Sequence, residues 1–235
     1  MNITNKKLIF NFNKAKFNFN QHFSDLLDKN SQGLSNLHSI LDRSKLPTEI
    51  ISVDDDQSQS VYDLLYTIDA GYGLNDNSDG ARGAFLRLFD DFVHYIAREI
   101  FKEDLVYQNR PTLRVCFPGN KAVGDWHRDR DYNHPVEEVN IWVPITNACG
   151  SNSIWIESSF DKEDYLPVDI DFGNFLIFDS GLKHGNVVNE EGITRISFDF
   201  RVIPKSAYKA PSESSLSYSQ GIEFKLGDYY SVTSI

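Results

Sequence analysis

Two hydrophobic periods divide this chain. Between about residues 81 and 101, Phe85, Leu88, Phe89, Phe92, Ile96 and Ile100 recur at i, i+3, i+4 and i+7. Arg87, Asp90, Asp91, Arg98 and Glu99 fill the other side. The spacing predicts one long amphipathic helix that lies on a sheet as a buttress. After Pro111 the period shortens to two. Runs of β-branched and aromatic residues at 113–117, 139–146, 153–157, 175–179 and 194–203 are bounded by turn residues and predict strands. Several short strands with no helices between them predict a sandwich or jelly roll, not a parallel α/β sheet.

The rest of the chain is less regular. In residues 1–20, Leu8, Phe10 and Phe12 share one face of a predicted strand, as do Phe17 and Phe19. Residues 21–42 read as one or two short helices around a break at Gly33, and a helix is expected at about 57–68. The stretch 71–80, rich in Gly, Asn and Asp, reads as a loop. Residues 205–235 are Ser- and Tyr-rich and contain Pro211, with one more strand expected at 221–227. The expected organisation is a single domain, 1–235: an N-terminal layer of helices and strand (1–104), a β core (105–204), and a tail (205–235) that packs on the barrel or closes over it as a lid. There is no internal repeat.

Composition narrows the function classes. The formal net charge of −11 argues against general binding to nucleic acid or anionic membranes. It suits a protein with a local concave site for a small-molecule substrate, and the sequence leaves its oligomeric state open. The two cysteines, Cys116 and Cys149, form no CxxC, so neither a disulfide framework nor a zinc ribbon is expected, and a reducing, cytoplasmic setting is. Residues 1–20 make a poor signal peptide, and no apolar run approaches the ~20 residues of a membrane span.

Candidate chemistry centres on Trp126-His127-Arg128-Asp129. In an extended segment, residues i and i+2 face the same side, so His127 and Asp129 can reach one ion. A His-x-Asp triplet is expected by chance roughly 0.6 times in a chain of this makeup, so alone it decides nothing. Asp125 is the runner-up carboxylate. His184 supplies a distant third ligand, after the predicted strand 175–179 and the turn Ser180-Gly181-Leu182-Lys183. Gly185 beside it permits close backbone approach. Two His and one carboxylate on one face of a metal suit non-haem iron(II) with open positions opposite. Farther on, alternation sorts 194–203: Ile196, Phe198 and Phe200 share one face, and Arg195, Ser197, Asp199 and Arg201 the other. A solvated polar side explains that pattern as well as a barrel mouth does. In a mouth, Arg195 and Ser197 can hold a carboxylate.

Taken together, His127-x-Asp129, His184, Arg195 eleven residues later and then Ser197, in a strand-rich context over about residues 112–203, resemble the iron(II)/2-oxoglutarate-dependent oxygenases. The wording from Trp126 to Tyr132 and the ending Gly227-Asp228-Tyr229-Tyr230 resemble oxygenases of streptomycin-type antibiotic clusters, and the spacing also resembles the phytanoyl-CoA hydroxylase branch. The resemblance implies a mainly β fold, a double-stranded β-helix (jelly roll, cupin-like) buttressed by α-helices. It implies Fe(II) on His127, Asp129 and His184, with 2-oxoglutarate held at its distal carboxylate by Arg195 and Ser197. The implied reaction consumes O2, releases succinate and CO2, and hydroxylates a small polar metabolite such as an amino-sugar or cyclitol, a sugar nucleotide or an amino acid. Related halogenating enzymes carry a small residue where Asp129 stands, so a carboxylate there favours hydroxylation, desaturation or ring closure.

Further residues are candidates on alternation and proximity. Asn140 and Trp142 share a strand face that would flank the co-substrate, and Asn186 follows His184 by two. Arg114 alternates with Leu113 and Val115 and either points toward a substrate anion or forms a surface ion pair. Arg128, Arg130 and Tyr132, with Asp131, surround the expected mouth as substrate contacts or as a solvated loop. His134 reads as a loop residue, and His22, His38 and His94 as structural. Two rivals share the fold: a non-oxygenase metal-binding cupin-type protein (an isomerase or sugar-binding module), which has no need of Arg195 and Ser197, and an inactive relative serving as a protein–protein module.

Overall fold

The computed structural model describes residues 3–26, 31–40, 81–121, 126–132, 134–210 and 224–235. The helix expected at 57–68, the loop at 71–80, Asp125 and the start of the strand expected at 221–227 lie outside the described residues. In chain order the strands are β1 (Lys7–Asn11), β2 (Leu105–Gln108), β3 (Thr112–Cys116), β4 (Val139–Pro144), β5 (Trp155–Ile156), β6 (Leu166–Pro167), β7 (Asn174–Asp179), β8 (His184–Gly185), β9 (Arg195–Pro204) and β10 (Tyr230–Val232). The helices are α1 (Phe19–Leu26), α2 (Leu37–Ile40) and α3 (Ala81–Ile96), the last continued by a π-turn over Ala97–Phe101.

One large sheet runs in the order β1-β7-β4-β9-β2-β10, and β3 pairs with the first half of β9. A small sheet runs β6-β5-β8, extended by a bridge from His184 to His127. From β3 onward the chain visits large, small, large, small, small, large, small and large sheet in turn. The segment at His127 provides the second visit. This alternate winding of antiparallel strands is a double-stranded β-helix, the jelly roll expected from the strand pattern.

Side-chain alternation sets the two faces of the large sheet. Ile141, Val143, Phe175, Ile177, Phe198 and Phe200 point outward and join the main core with α1 and α3. Phe85, Phe92 and Phe89 of α3 meet Phe198, Phe175 and Phe200 at centroid separations of 5.9, 5.4 and 5.0 Å, all edge-on. The helical stripe therefore reaches from β9 to β7, on either side of β4, and edge-to-face rings add about 0.5–1.5 kcal/mol per pair beyond area burial. Trp142, Leu176 and Phe178 point inward and pack with Ile154, Ile156, Val168, Ile170 and Leu182 of the small sheet and its flanks. The polar residues of β9 project into this same interior.

Several expectations are corrected. Phe17 and Phe19 do not share a strand: Phe17 lies in a turn, Phe19 opens α1, and both are buried aromatic core. Their spacing of two mimics a strand, but tertiary packing selects the helix. The strands β2, β6, β8 and β10 had no clear signal of their own, since two- to four-residue strands carry too little alternation to be read. The tail from 224 to 235 packs on the barrel. Tyr230, Ser231 and Val232 pair with Gln108, Tyr107 and Val106, and Phe224 and Tyr230 join Val106 and Ile203 in a small core. Among the described residues, no helix is long and apolar enough to cross a membrane.

Candidate metal and co-substrate site

The site is assembled by backbone hydrogen bonds at the edge of the small sheet. His127 N–H donates to His184 O at 3.0 Å, and His184 N–H donates to His127 O at 2.9 Å. This antiparallel bridge sets the two imidazoles side by side, with ring centroids 4.5 Å apart. The turn before His184 is fixed by Asp179, whose Oδ1 accepts from Gly181 N–H at 2.8 Å and whose carbonyl accepts from Leu182 N–H at 3.0 Å. Gly185 is required by closeness. A Cβ there would lie 2.9 Å from Cε3 of the Trp126 indole, which covers the bridge.

Asp129 does not continue an extended segment, as the His-x-Asp spacing suggested. It opens a 3-10 turn, Asp129–Tyr132, and its N–H donates to Ser180 O at 3.2 Å. The turn still brings its carboxylate to within 3.6 Å of His127 Nε2. One ligand atom from each of His127, Asp129 and His184 falls in a cluster whose members lie within 4.8 Å of one another.

The donor set fits a divalent ion. His184 Nδ1 lies 2.9 Å from Leu182 O, which can only accept, so the proton sits on Nδ1 and Nε2 keeps its lone pair. Burial pushes the His184 pKa down to about 4, against the opposing pull of Asp129, so the ring is neutral at pH 7. Burial works to raise the Asp129 pKa, but the Arg201 guanidinium and His127 outweigh it and hold the carboxyl well below the usual range. Arg201 donates from NH2 to Asp129 Oδ1 at 3.1 Å, and Asn140 donates from Nδ2 to Oδ2 at 2.5 Å. Among the described residues, Asn140 Oδ1 is then buried with no hydrogen-bond partner. Two imidazole nitrogens and an ionised carboxylate form a mixed nitrogen- and oxygen-donor set suited to iron(II).

The cavity beside this cluster is lined by Asn140, Trp142, Phe178 and Ile154 as well as the two His, and by Asn186, Arg114, Asp199 and Arg201. Behind it lies Arg195, fully buried. Its Nε donates to Asn152 O at 2.9 Å, NH1 to Ser197 Oγ at 2.7 Å and NH2 to Asn186 Oδ1 at 2.9 Å. The guanidinium carbon sits 5.8 Å from the Trp142 ring. All three hydrogen-bond partners are neutral, and among the described residues no carboxylate forms an ion pair with Arg195. Burial pushes its pKa down from the ordinary arginine value. A buried guanidinium with only neutral partners is costly unless an anion completes it.

The remaining sequence candidates divide. Asn186 and Ser197 both hold Arg195, and Ser197 does not line the cavity. Arg114 faces inward, paired with Asp199. Arg128 pairs with Asp161 at 2.6 Å and with Glu157 at 3.5 Å. Arg130 pairs with Asp179 at 2.6 Å, a strut between the Asp129 turn and β7. Neither lines the cavity. Tyr132 is 60% exposed and meets His127 edge-on at 5.6 Å. His134, expected in a loop, pairs with the buried Glu138 at 2.7 Å. Asp199 and Arg201 were legible only as the polar face of a strand, and Glu138 and its donor Tyr230 gave no signal. Their roles depend on partners distant in sequence.

No family model matches the chain. The streptomycin biosynthesis protein StrG of Streptomyces griseus is 46% identical over 129 residues, which cover 54% of this chain and 60% of that protein. The chain thus matches about 60% of the length of that relative. Among solved structures, CytC3 with Fe(II) and alpha-ketoglutarate aligns with 94% of this chain and 81% of its own, at 16% identity and a TM-score of 0.49. EctD from S. alaskensis, with 2-oxoglutarate and 5-hydroxyectoine, aligns with 86% of this chain and 73% of its own, at 15% identity and a TM-score of 0.48.

Proposed function

We propose that this chain is an iron(II)/2-oxoglutarate-dependent oxygenase that hydroxylates a small polar metabolite. The observation that carries the reading is one cavity with the His127–Asp129–His184 cluster at its wall and, behind it, Arg195, buried and without a carboxylate partner among the described residues. A metal-binding cupin-type protein accounts for the first feature and leaves the second without a purpose.

Each residue has a defined task in this reading. His127 Nε2, His184 Nε2 and an oxygen of Asp129 would hold the ion. Leu182 O keeps His184 in the ligating tautomer. Asn140 and Arg201 hold the Asp129 carboxylate in place through charge-assisted hydrogen bonds. Arg195 binds the distal carboxylate of 2-oxoglutarate, and Ser197, Asn186 and Asn152 O hold the guanidinium in the required plane. Trp142, Ile154 and Phe178 form apolar walls that exclude water from the reacting atoms. When bound, the iron and 2-oxoglutarate supply the oxidising chemistry with O2, releasing succinate and CO2.

The test is an anaerobic titration of metal-free protein with Fe(II) and then 2-oxoglutarate, followed by visible absorption. A charge-transfer band that needs both components, and succinate formation in air, are expected. Metal binding without the band or succinate would return the chain to the cupin-type reading.

A further inference from the structure

The cavity wall beside Arg195, formed by the same face of β9 and by β3, carries more positive than negative charge among its lining side chains once the metal site is filled. Arg114 on β3 and Arg201 on β9 both bond Asp199, Arg114 through Nε to Oδ1 and Arg201 through NH1 to Oδ2 at 3.3 Å. These three side chains are only 11–19% exposed, and all three line the cavity. With the metal site empty, the two guanidiniums face two carboxylates, because Arg201 also bonds Asp129. A divalent ion claims Asp129 as its ligand. Arg201 keeps its hydrogen bond to that carboxylate, but the ion takes up the carboxylate's charge, so Asp199 alone balances Arg114 and Arg201 on the wall.

We propose that Arg114, Asp199 and Arg201 form an anchoring subsite for an anionic group on the substrate, a carboxylate or a phosphate monoester. This rests on the reading of the chain as a 2-oxoglutarate-dependent oxygenase. In that reading iron(II), Asp129, Arg195 and the 2-oxoglutarate dianion balance to neutrality, so the excess of one positive charge on the wall is left for the substrate. Glu138 lies behind Arg201 and offsets part of its charge, but among the described residues it makes no hydrogen bond to Arg201 and does not face the cavity. Its oxygens are taken by His134 Nδ1 at 2.7 Å and by the Tyr230 hydroxyl. Arg201 also has a donor in hand, because its Nε is buried with no hydrogen-bond partner among the described residues. An unbalanced guanidinium pair in a low-dielectric cleft attracts an anion strongly and repels an amine.

The test uses full-length protein loaded with Zn(II) and saturating 2-oxoglutarate. Inorganic phosphate, acetate, myo-inositol and glucosamine are titrated separately by calorimetry, in buffer free of other multivalent anions. Saturable binding of phosphate or acetate is expected, and which of the two binds tighter identifies the group. Arg114→Gln should weaken that anion about tenfold or more, whereas Asp199→Asn should tighten it several-fold by removing the competing carboxylate. Should Arg114→Gln fail to fold, the opposite sign at Asp199→Asn still decides the matter. Binding of glucosamine that is lost in Asp199→Asn, binding of myo-inositol alone, or no binding of either anion would overturn the proposal. In a parallel titration with Fe(II), failure of the charge-transfer band to form refutes the oxygenase reading. A band that forms, with no anion binding, refutes the subsite alone.

Discussion

Arg201 and Asp129 stand 72 residues apart in sequence, and their side chains meet at 3.1 Å inside the barrel. The guanidinium there takes the role that a metal ion would share, neutralising a carboxylate that is almost wholly buried. Removing one member of such a pair leaves the other buried and uncompensated, at a cost of about 3–5 kcal/mol.

Arg201→Met should therefore destabilise metal-free protein by roughly that amount. Saturating Zn(II) should restore most of the loss, since the ion supplies the positive charge. Urea unfolding with and without Zn(II) measures both effects. A variant equally destabilised in the two conditions would mean that Arg201 matters for packing and not for the charge on Asp129.

Arg195 presents a separate case because its hydrogen-bond partners are neutral and fix its plane. Arg195→Lys keeps the charge and loses the planar fork, and should weaken 2-oxoglutarate about tenfold or more. Zn(II) affinity should stay within about threefold, as Arg195 touches none of the metal ligands. Calorimetric titration of each ligand separates the two. A matching loss of both affinities would show that the lysine had disturbed the fold of the site.

At Gly185 the constraint is steric. A methyl group would sit 2.9 Å from the Trp126 indole and 3.4 Å from its Cα. Gly185→Ala should cost about 1–3 kcal/mol as an overpacking change. It should also blue- or red-shift Trp126 emission and weaken Zn(II), because the indole covers the bridge that joins His127 to His184. Unchanged fluorescence and metal affinity would place the slack elsewhere.

Protonation gives a signed expectation for the metal-free protein. The folded His184 pKa is depressed to about 4 from 6.5, so the unfolded chain binds this proton first as pH falls. The stability held by the neutral ring is complete above pH 6.5 and declines toward pH 4, by at most about 3 kcal/mol. Asp129, depressed well below the usual range, adds to the loss at lower pH. Thermal unfolding of the wild type and His184→Gln across this window should converge at low pH. Parallel curves would show that His184 titrates normally.

Much of the architecture was present in local pattern. The stripe from Phe85 to Ile100 marked the buttressing helix, and alternation in 113–117, 139–146, 175–179 and 194–203 marked four strands of the large sheet. Periodicity is a property of neighbours in the chain, so it survives without the fold. The small sheet was barely legible, because β5, β6 and β8 are two residues each and take their conformation from their pairing partners. For Phe17 and Phe19 the pattern misled, since any aromatic pair spaced by two looks like half a strand until packing decides.

The sequence by itself determined the order of the chemistry: His127, Asp129, His184, Arg195 and Ser197, with the polar face of β9 set against its apolar one by side-chain alternation. Only the tertiary structure decided which charges meet. That Arg114 and Arg201 share Asp199 follows from strand register across β3 and β9; that Arg201 faces Asp129, that Arg195 is left to neutral partners, and that Tyr230 of the tail caps Glu138 follow from how the turns and the tail close on the barrel. The physical reason is range. Periodicity records which side of an element a residue occupies, whereas ion pairing inside a low-dielectric interior depends on distances of a few ångströms between residues far apart in the chain.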